Sequence, residues 1–331
     1  MAAVASPGPP SGTGIRPLIL INRLARHQLS ALFPFLQTRY RILDPIDESG
    51  PSFAALSKSG RVMLCVGPTP ITSDTLDRYP SLECVVCSSA GHDHVDVAEF
   101  RRRGIRVTGA GDTFSDDVAD FAVGLLIDVL RRVSVADRFV RSGSWPAEGN
   151  FPLGSKVGGK RVGIVGLGSI GLRVSKRLEA LGCTIAYTSK KVKPHVPFSF
   201  HPNITDLATA CDVLVLCCAL TQETNHIVDK KVMLALGKGG IVINIGRGAL
   251  IDEKEMVDLL ARGELGGAGL DVFENEPNVP RELVGLDNVV LSSHVSYATH
   301  EAMVALQELV ANNIDSFFSN KALQAEIGGN E

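Results

Sequence analysis

The sequence lacks the features that define several classes of protein. It has no run of about 18 apolar residues, which is the length a transmembrane helix needs, so a membrane protein is not expected. Its 33 Lys and Arg are balanced by 36 Asp and Glu, for a formal net charge of −3. Such a charge gives no broad basic field for nucleic acid or an anionic membrane. The expected partner is therefore a small molecule.

Cysteines are few, and no secretory leader is expected. The seven cysteines lie mostly within apolar runs, so we predict reduced core residues. Cys84 and Cys87 form a C-x-x-C motif, but two valines between them indicate a strand, whereas redox pairs belong at a helix start. The first sixteen residues, rich in Pro, Gly, Ser and Ala, are predicted to be a disordered tail. We expect a cytoplasmic protein with no metal site.

What the chain does contain is the alternation of an α/β protein. Its 331 residues are 45% hydrophobic, which is enough for two folded domains. The strand candidates are Leu18–Ile21, Val62–Val66, Cys84–Cys87 and Ile105–Thr108, then Arg161–Val165, Thr184–Tyr187, Val213–Cys217, Ile241–Ile245, Gly269–Val272 and Val289–Ser292. Helix-compatible segments separate them, as in parallel sheets. We predict an α/β fold with two Rossmann-like, doubly wound parallel-sheet domains separated by a cleft.

Two long helical segments mark where these domains join. One amphipathic helix is predicted from Asp116 to about Arg138, with Ser115 as its N-cap, and a loop or arm then runs to Gly159. A last helix after Ser296 has no sheet of its own, so we expect it to return to the first domain.

A glycine-rich turn predicts a dinucleotide site after the strand candidate Arg161–Val165. In this G-x-G-x-x-G motif, the first glycine permits a tight turn, the second admits the pyrophosphate, and the third lets the helix pack closely. The phosphate then faces the helix N-terminus. A purely structural turn is the alternative. The predicted contacts in the motif are Gly166, Leu167, Gly168, Ser169, Ile170 and Gly171.

The next strand candidate indicates which dinucleotide binds. A free ribose 2′-hydroxyl calls for an acidic residue at the end of this strand. The sequence instead continues with Ser189, Lys190 and Lys191, which offer a hydroxyl and two cations to a 2′-phosphate. We therefore predict NADPH, with NADH as a weaker cofactor. The lysines could alternatively be solvated loop charges.

Three ionisable residues follow the ends of three successive strand candidates. They are Arg247, Glu276 and His294, and that edge of an open α/β sheet holds the ligand. Arg247 offers a bidentate fork to a carboxylate, and His294 can donate a proton to a nascent alkoxide. A carboxylate from Glu276 on the other ring nitrogen would favour the imidazolium and fix the tautomer. Taken singly, each has an alternative: a surface or phosphate contact, a loop charge and a core histidine.

Together these motifs resemble the D-isomer-specific 2-hydroxy-acid dehydrogenases. The matching segments are Gly166–Gly171, Ile245–Gly248, Gly269–Pro277 and Ser293–His294. The resemblance implies reduction of small 2-oxo acids to D-2-hydroxy acids. It also implies a split substrate-binding domain, here 17–114 and 296–331, beside a dinucleotide-binding domain at 115–295.

The resemblance also assigns binding residues. Within the loop Ser89–Asp93, the amides of Ala90 and Gly91 would hold the substrate carboxylate, and Gly67 would line the same pocket. Asp271 would bind the nicotinamide carboxamide. The other implied cofactor contacts are Cys217, Leu220, Thr224, Ile245, Arg247, His294 and Ser296. For Cys217 and Leu220, ordinary core packing is the alternative.

Within this family the chain is most similar to plant glyoxylate, hydroxypyruvate and hydroxyphenylpyruvate reductases. In such enzymes a segment like Arg141–Trp145 projects its tryptophan towards the partner subunit, which implies a homodimer; packing on its own subunit is the alternative for Trp145. Two segments depart from the family pattern, Gly67–Pro70 and Val295–Tyr297, and both bear on substrate size. The competing function is a nucleotide-sensing, corepressor-like binding protein on the same scaffold.

Overall fold

The computed structural model describes residues 16–25, 33–47 and 49–328. All of the predicted tail except Arg16 lies outside these ranges. The chain divides into two compact units: unit 1 is Met1–Phe114 with Thr299–Glu331, and unit 2 is Ser115–Ala298. Within the described ranges, none of the helices has the length and apolar character needed to cross a bilayer.

Unit 1 contains a five-stranded sheet. Its strands are β1 (Leu18–Asn22), β2 (Arg41–Leu43), β3 (Val62–Cys65), β4 (Cys84–Cys87) and β5 (Arg106–Thr108). They pair in the order β2-β1-β3-β4-β5, and every pair is parallel. This order reverses at β1, so the switch point lies between β1 and β3. The helices described in unit 1 are Leu36–Arg39, Pro51–Ser57, Ser73–Arg78, Val97–Arg102 and His300–Phe318.

The central strands of unit 1 are apolar because both faces are covered. Every residue of β3 and β4 is buried, which matches their continuous apolar sequence. The helix His300–Phe318 belongs to this unit, and its N-cap Thr299 accepts a hydrogen bond from the amide of Ala302. Asp315 near its end pairs with Arg39 at 2.6 Å.

Unit 2 contains a seven-stranded sheet. Its strands are β6 (Arg161–Val165), β7 (Thr184–Thr188), β8 (Ser199–Phe200), β9 (Val213–Leu216), β10 (Ile241–Asn244), β11 (Gly267–Leu270) and β12 (Val289–Leu291). They pair in parallel in the order β12-β11-β10-β9-β6-β7-β8. This is the dinucleotide-binding order with one further strand, and its switch point lies between β6 and β9.

Eight α-helices are described in unit 2. They are Ser115–Arg131, Val133–Arg141, Ser144–Glu148, Ser169–Ala180, Ile204–Ala210, Lys230–Leu236, Glu253–Ala261 and Arg281–Val284, with a 3₁₀ turn at Gly248–Leu250. The two parallel sheets confirm the predicted α/β class. All seven cysteines are free, which confirms that they do not form a disulfide framework.

Three local predictions were wrong. The helix expected to run from Asp116 to Arg138 ends at Arg131, because Arg132 takes a left-handed φ of 57° and a second helix starts at Val133. Ser115 is the first helical residue rather than the N-cap. Trp145 lies in the short helix Ser144–Glu148 rather than in a loop.

Candidate active site

The glycine-rich turn joins β6 to the helix Ser169–Ala180. Gly166 has a φ of 93°, and a Cβ there would lie 2.6 Å from the backbone of Cys218. A Cβ at Gly171 would lie 2.2 Å from the carbonyl oxygen of Gly166. Both positions therefore require glycine. Around Gly168, by contrast, a Cβ would meet no described atom within 4 Å, so this side of the turn is open to a ligand.

The start of that helix suits an anion. Gly168 is the N-cap and forms no side-chain cap, and the first turn contains no acidic residue. The amides and the positive end of the helix dipole are therefore available to phosphate oxygens. The open side of Gly168 and this helix start together fit the pyrophosphate of a dinucleotide.

The end of β7 carries the predicted 2′-phosphate contacts. The hydroxyl of Ser189 donates to the carbonyl of Lys191 at 2.6 Å, which closes a tight turn. Nζ of Lys190 lies 4.0 Å from Oε2 of Glu223, and both side chains are more than 70% exposed. An exposed pair of this kind is weak and leaves the lysine able to bind a phosphate.

Other predicted cofactor residues follow β9 and β10. The amide of Cys217 donates to Val165 at 2.8 Å, which extends the pairing of β9 with β6 beyond the strand end. The Thr224 hydroxyl donates to Ala219 at 2.8 Å and closes the loop after β9. Ile245 is buried directly after β10. These residues lie at the ligand edge of the sheet, and their hydrogen bonds and burial also stabilise the local structure there.

Arg247 lies on a turn shaped by a residue that sequence reasoning missed. The side chain of buried Asn244 donates to the carbonyl of Arg247 at 2.8 Å and accepts from the amide of Gly246 at 3.1 Å. Gly248 follows, and a Cβ there would overlap the backbone of Phe273 at 1.9 Å. The available signal was an asparagine at the end of an otherwise apolar strand, immediately before Gly-Arg-Gly.

Glu276 and His294 form the predicted pair. Nδ1 of His294 lies 2.9 Å from Oε2 of Glu276, while Oε1 accepts from the amide of Phe273 at 3.2 Å. Burial raises the pKa of Glu276, but the hydrogen bond and charge of His294, the Phe273 amide and the charge of Arg247 outweigh it, so the pKa is lowered overall. The carboxylate is thus ionised and holds Nδ1, so it orients the imidazole ring.

The backbone of His294 is held in a left-handed conformation by Asp271. His294 has a φ of 54°, which is uncommon for a residue with a Cβ, and its amide donates to the carbonyl of Asp271 at 2.8 Å. The Asp271 side chain is fully buried and accepts from the Ser292 hydroxyl and from the amides of Val295 and Ser296. Asp271 therefore organises the turn that presents the histidine, a role that sequence reasoning did not foresee.

Tyr297 also contacts the histidine. Its ring meets that of His294 edge to face, with centroids 6.2 Å apart. Burial and the charge of Asp271 raise the pKa of Tyr297, so its hydroxyl stays protonated. A second histidine–carboxylate pair, which was not predicted, joins His226 to Glu274. Glu274 lies two residues before Glu276.

The predicted substrate residues of unit 1 follow β3 and β4. Gly67 has a φ of 64°, and its amide donates to the Ser88 hydroxyl at 2.8 Å. The Ser89 hydroxyl donates to the carbonyl of Gly91 at 2.9 Å and shapes the segment that includes Ala90. These residues lie at the carboxyl ends of neighbouring parallel strands, where α/β sheets bind ligands.

The dinucleotide-type sheet, the glycine turn and the histidine–carboxylate pair define a nicotinamide-dependent oxidoreductase. Residues 123–296 match the NAD binding domain of the D-isomer specific 2-hydroxyacid dehydrogenases. The glyoxylate/hydroxypyruvate reductase HPR3 of Arabidopsis thaliana is 52% identical over 94% of this chain and 97% of that protein. The chain therefore belongs to the D-isomer specific 2-hydroxyacid dehydrogenase family, as its motifs predicted.

Two further relatives agree with this assignment. Hydroxyphenylpyruvate reductase of Plectranthus scutellarioides is 47% identical over 77% of this chain and 81% of its own length. The crystal structure of the NADPH-dependent glyoxylate/hydroxypyruvate reductase from Sinorhizobium meliloti, in complex with NADP and malonate, matches with a TM-score of 0.87 at 35% identity, covering 95% of this chain and 97% of that one. These relatives are reductases, so the corepressor-like alternative gains no support.

Proposed function

We propose that this protein uses NADPH to reduce small 2-oxo acids, such as glyoxylate, hydroxypyruvate or hydroxyphenylpyruvate, to D-2-hydroxy acids. The observation that carries the proposal is the 2.9 Å contact between His294 and Glu276 at the ligand edge of the dinucleotide-type sheet. Arg247 is close enough for its charge to lower the pKa of Glu276. The names of the relatives support this choice of substrates.

Each side chain of this group has a defined role in the proposed reaction. Bound nicotinamide supplies the hydride. Arg247 holds the substrate carboxylate through its planar fork and polarises the keto oxygen. Nε2 of His294 gives its proton to that oxygen as negative charge develops there, and the ionised Glu276 stabilises the imidazolium before transfer. Because Glu276 binds Nδ1, the ring cannot turn away from the substrate.

The remaining contacts are proposed on the same family likeness. The amides of Ala90 and Gly91 bind the substrate carboxylate, and Gly67 lines the pocket. Segments 17–114 and 296–331 serve substrate binding, whereas 115–295 bind the dinucleotide. Trp145, 62% exposed in this chain, contacts the partner subunit's active site in a homodimer. We place the protein in the cytoplasm.

The dinucleotide contacts extend along the edge of unit 2. Ser189, Lys190 and Lys191 bind the 2′-phosphate and so favour NADPH over NADH. The other proposed contacts are Gly166, Leu167, Gly168, Ser169, Ile170, Gly171, Cys217, Leu220, Thr224, Ile245, Arg247, Asp271, His294 and Ser296.

The deciding experiment measures kcat/KM for the three acids with NADPH and with NADH, for the wild type and for H294A. We expect NADPH to be preferred, and H294A to lose turnover with little loss of NADPH affinity, because the imidazole acts mainly on the developing alkoxide. A tenfold preference for NADH would refute the role of the lysines. Unchanged turnover in H294A would remove this histidine from the mechanism.

A further inference from the structure

A cluster of three metal-binding side chains lies in unit 1, outside the residues used above. Cys65 ends β3, Cys87 ends β4, and His94 lies in the segment after β4. One ligand atom from each lies within 4.8 Å of the other two. The two cysteines are direct partners in the parallel pairing of β3 with β4, so their side chains leave the sheet on the same face.

The two cysteines and the ring nitrogens of His94 are buried, and the hydrogen-bonding capacity of His94 is not satisfied by the described part of the chain. Both cysteines are at most 1% exposed. Neither ring nitrogen of His94 is exposed to solvent, and neither has a hydrogen-bond partner among the described residues. A buried imidazole without a partner is costly, and such a group calls for an explanation.

We propose that Cys65, Cys87 and His94 form a binding site for a thiophilic divalent cation of the Zn²⁺ type. Two thiolates and a neutral imidazole balance the charge of such an ion, so the buried site has no net charge. Three protein ligands leave a fourth tetrahedral position for water or another small ligand. The cation also gives a buried nitrogen of His94 the partner it lacks.

The required rearrangement is small. Zinc bonds of about 2.3 Å to sulfur and about 2.0 Å to nitrogen place tetrahedral ligand atoms about 3.5 to 3.8 Å apart. The three atoms are already within 4.8 Å of each other, so side-chain rotation of about 1 Å completes the site. Cys65 now contacts the carbonyl of Thr69 at 3.3 Å, and the amide of Asn22 approaches its sulfur at 3.9 Å. That amide remains available to hydrogen-bond the thiolate.

The test is a titration of the full-length, reduced protein with Zn²⁺ alone in competition with a chromophoric chelator, without substrate or dinucleotide. We expect one equivalent to bind, and C65S, C87S and H94A each to weaken binding at least 100-fold. C84S is the matched control: Cys84 is equally buried in β4 but lies three positions away on the opposite face, so it should bind as the wild type does.

A second measurement does not depend on the variants folding. Co²⁺ bound to the wild type should give thiolate-to-metal absorption in the near ultraviolet and the intense visible bands of a tetrahedral ion. Failure to bind either metal, a weak octahedral spectrum, or a Cys65–Cys87 disulfide in the protein as isolated would overturn the proposal. Because neither readout involves catalysis, the result is independent of the proposed reductase activity.

Discussion

Two carboxylates of unit 2 act on the same histidine by different routes. Glu276 contacts the ring of His294 directly, whereas the Asp271 carboxylate accepts from the Ser292 hydroxyl and from the amides of Val295 and Ser296. Asp271 is fully buried, while the side chain of Glu276 is 31% exposed. Replacing Glu276 should therefore change proton transfer, and replacing Asp271 should change the position of the His294 ring.

The E276Q variant tests the first route. Glutamine keeps a hydrogen bond to Nδ1 but removes the negative charge that favours the imidazolium, so kcat for reduction should fall about 100-fold, with NADPH affinity retained. On the acid side, the wild-type pair is intact above the lowered pKa of Glu276 and is lost only as pH falls through that value.

The control for this variant is E274Q. Glu274 lies two residues away and pairs with His226 rather than with His294. This variant should leave kcat within a factor of about two of the wild type. Equal losses of kcat in E276Q and E274Q would show that the conformation of the loop containing both glutamates, rather than the contact of Glu276 with His294, determines the rate.

The D271N variant tests the second route. The Nδ2 group of the asparagine would face the backbone N–H of Ser296, which now donates to the carboxylate. Two donors would then face each other, and a buried donor would be left unpaired. The free energy of unfolding, measured in urea, should fall by about 1 to 3 kcal/mol, and reduction should slow because the turn at His294 loosens. S292A removes only one donor to Asp271 and should cost about 1 kcal/mol. Wild-type stability of D271N would contradict the positioning role.

At the scale of structural elements, two glycines of the turn after β6 should affect different properties. Replacing Gly171 should lower stability, and replacing Gly168 should weaken cofactor binding. A methyl group at Gly171 collides with the carbonyl of Gly166, whereas one at Gly168 meets no described atom. G171A should therefore lower the thermal midpoint by several degrees. G168A should keep its midpoint and lose NADPH affinity at least tenfold, because its methyl group occupies the approach of the pyrophosphate. Thermal denaturation with a fluorescence titration distinguishes the two, and NADPH affinity retained in G168A would contradict the proposed pyrophosphate position.

The strands that are buried on both faces could be predicted, because each of them is a continuous apolar run in the sequence. β4 and β6 were predicted with their observed bounds, because four buried residues in succession exclude an amphipathic helix. β2 and β8 were missed, since three and two residues at the sheet edges carry no period. The break between two helices at Arg132 was not predicted, because an arginine in the left-handed conformation does not change the hydrophobic pattern of the sequence.

Considering the whole molecule, the sequence could predict residues that act at strand ends but not those that act through contacts across strands. The strand ends gave Arg247, Glu276 and His294, and the structure confirms the pairing of the last two. The turn-shaping role of Asp271 depends on hydrogen bonds from residues 21 to 25 positions further along the chain, which no spacing reveals. The cluster of Cys65, Cys87 and His94 likewise arises from the pairing of β3 with β4, so the sequence led us to predict no metal site.

The division into two units leads to a prediction about their independence. Every proposed dinucleotide contact lies within 166–296, inside unit 2. The helix Ser115–Arg131 belongs with that unit as well: Cβ atoms at Gly267 and Gly269 would approach Val129 and Leu125 at 3.0 Å, and Arg177 pairs with Asp120 at 2.6 Å. Unit 2 thus has its own sheet, covering helix and buried core.

A fragment of residues 115–298 should therefore fold cooperatively in denaturant and bind NADPH within about tenfold of the affinity of the whole chain. It should not reduce any 2-oxo acid, because the Ala90 and Gly91 amides that we assign to the substrate carboxylate are absent. At 100 times its dissociation constant, NADPH should stabilise the fragment by about 2.7 kcal/mol. A folded fragment that fails to bind NADPH would show that residues of unit 1 complete the dinucleotide site, since the buried core alone would then suffice for folding but not for binding.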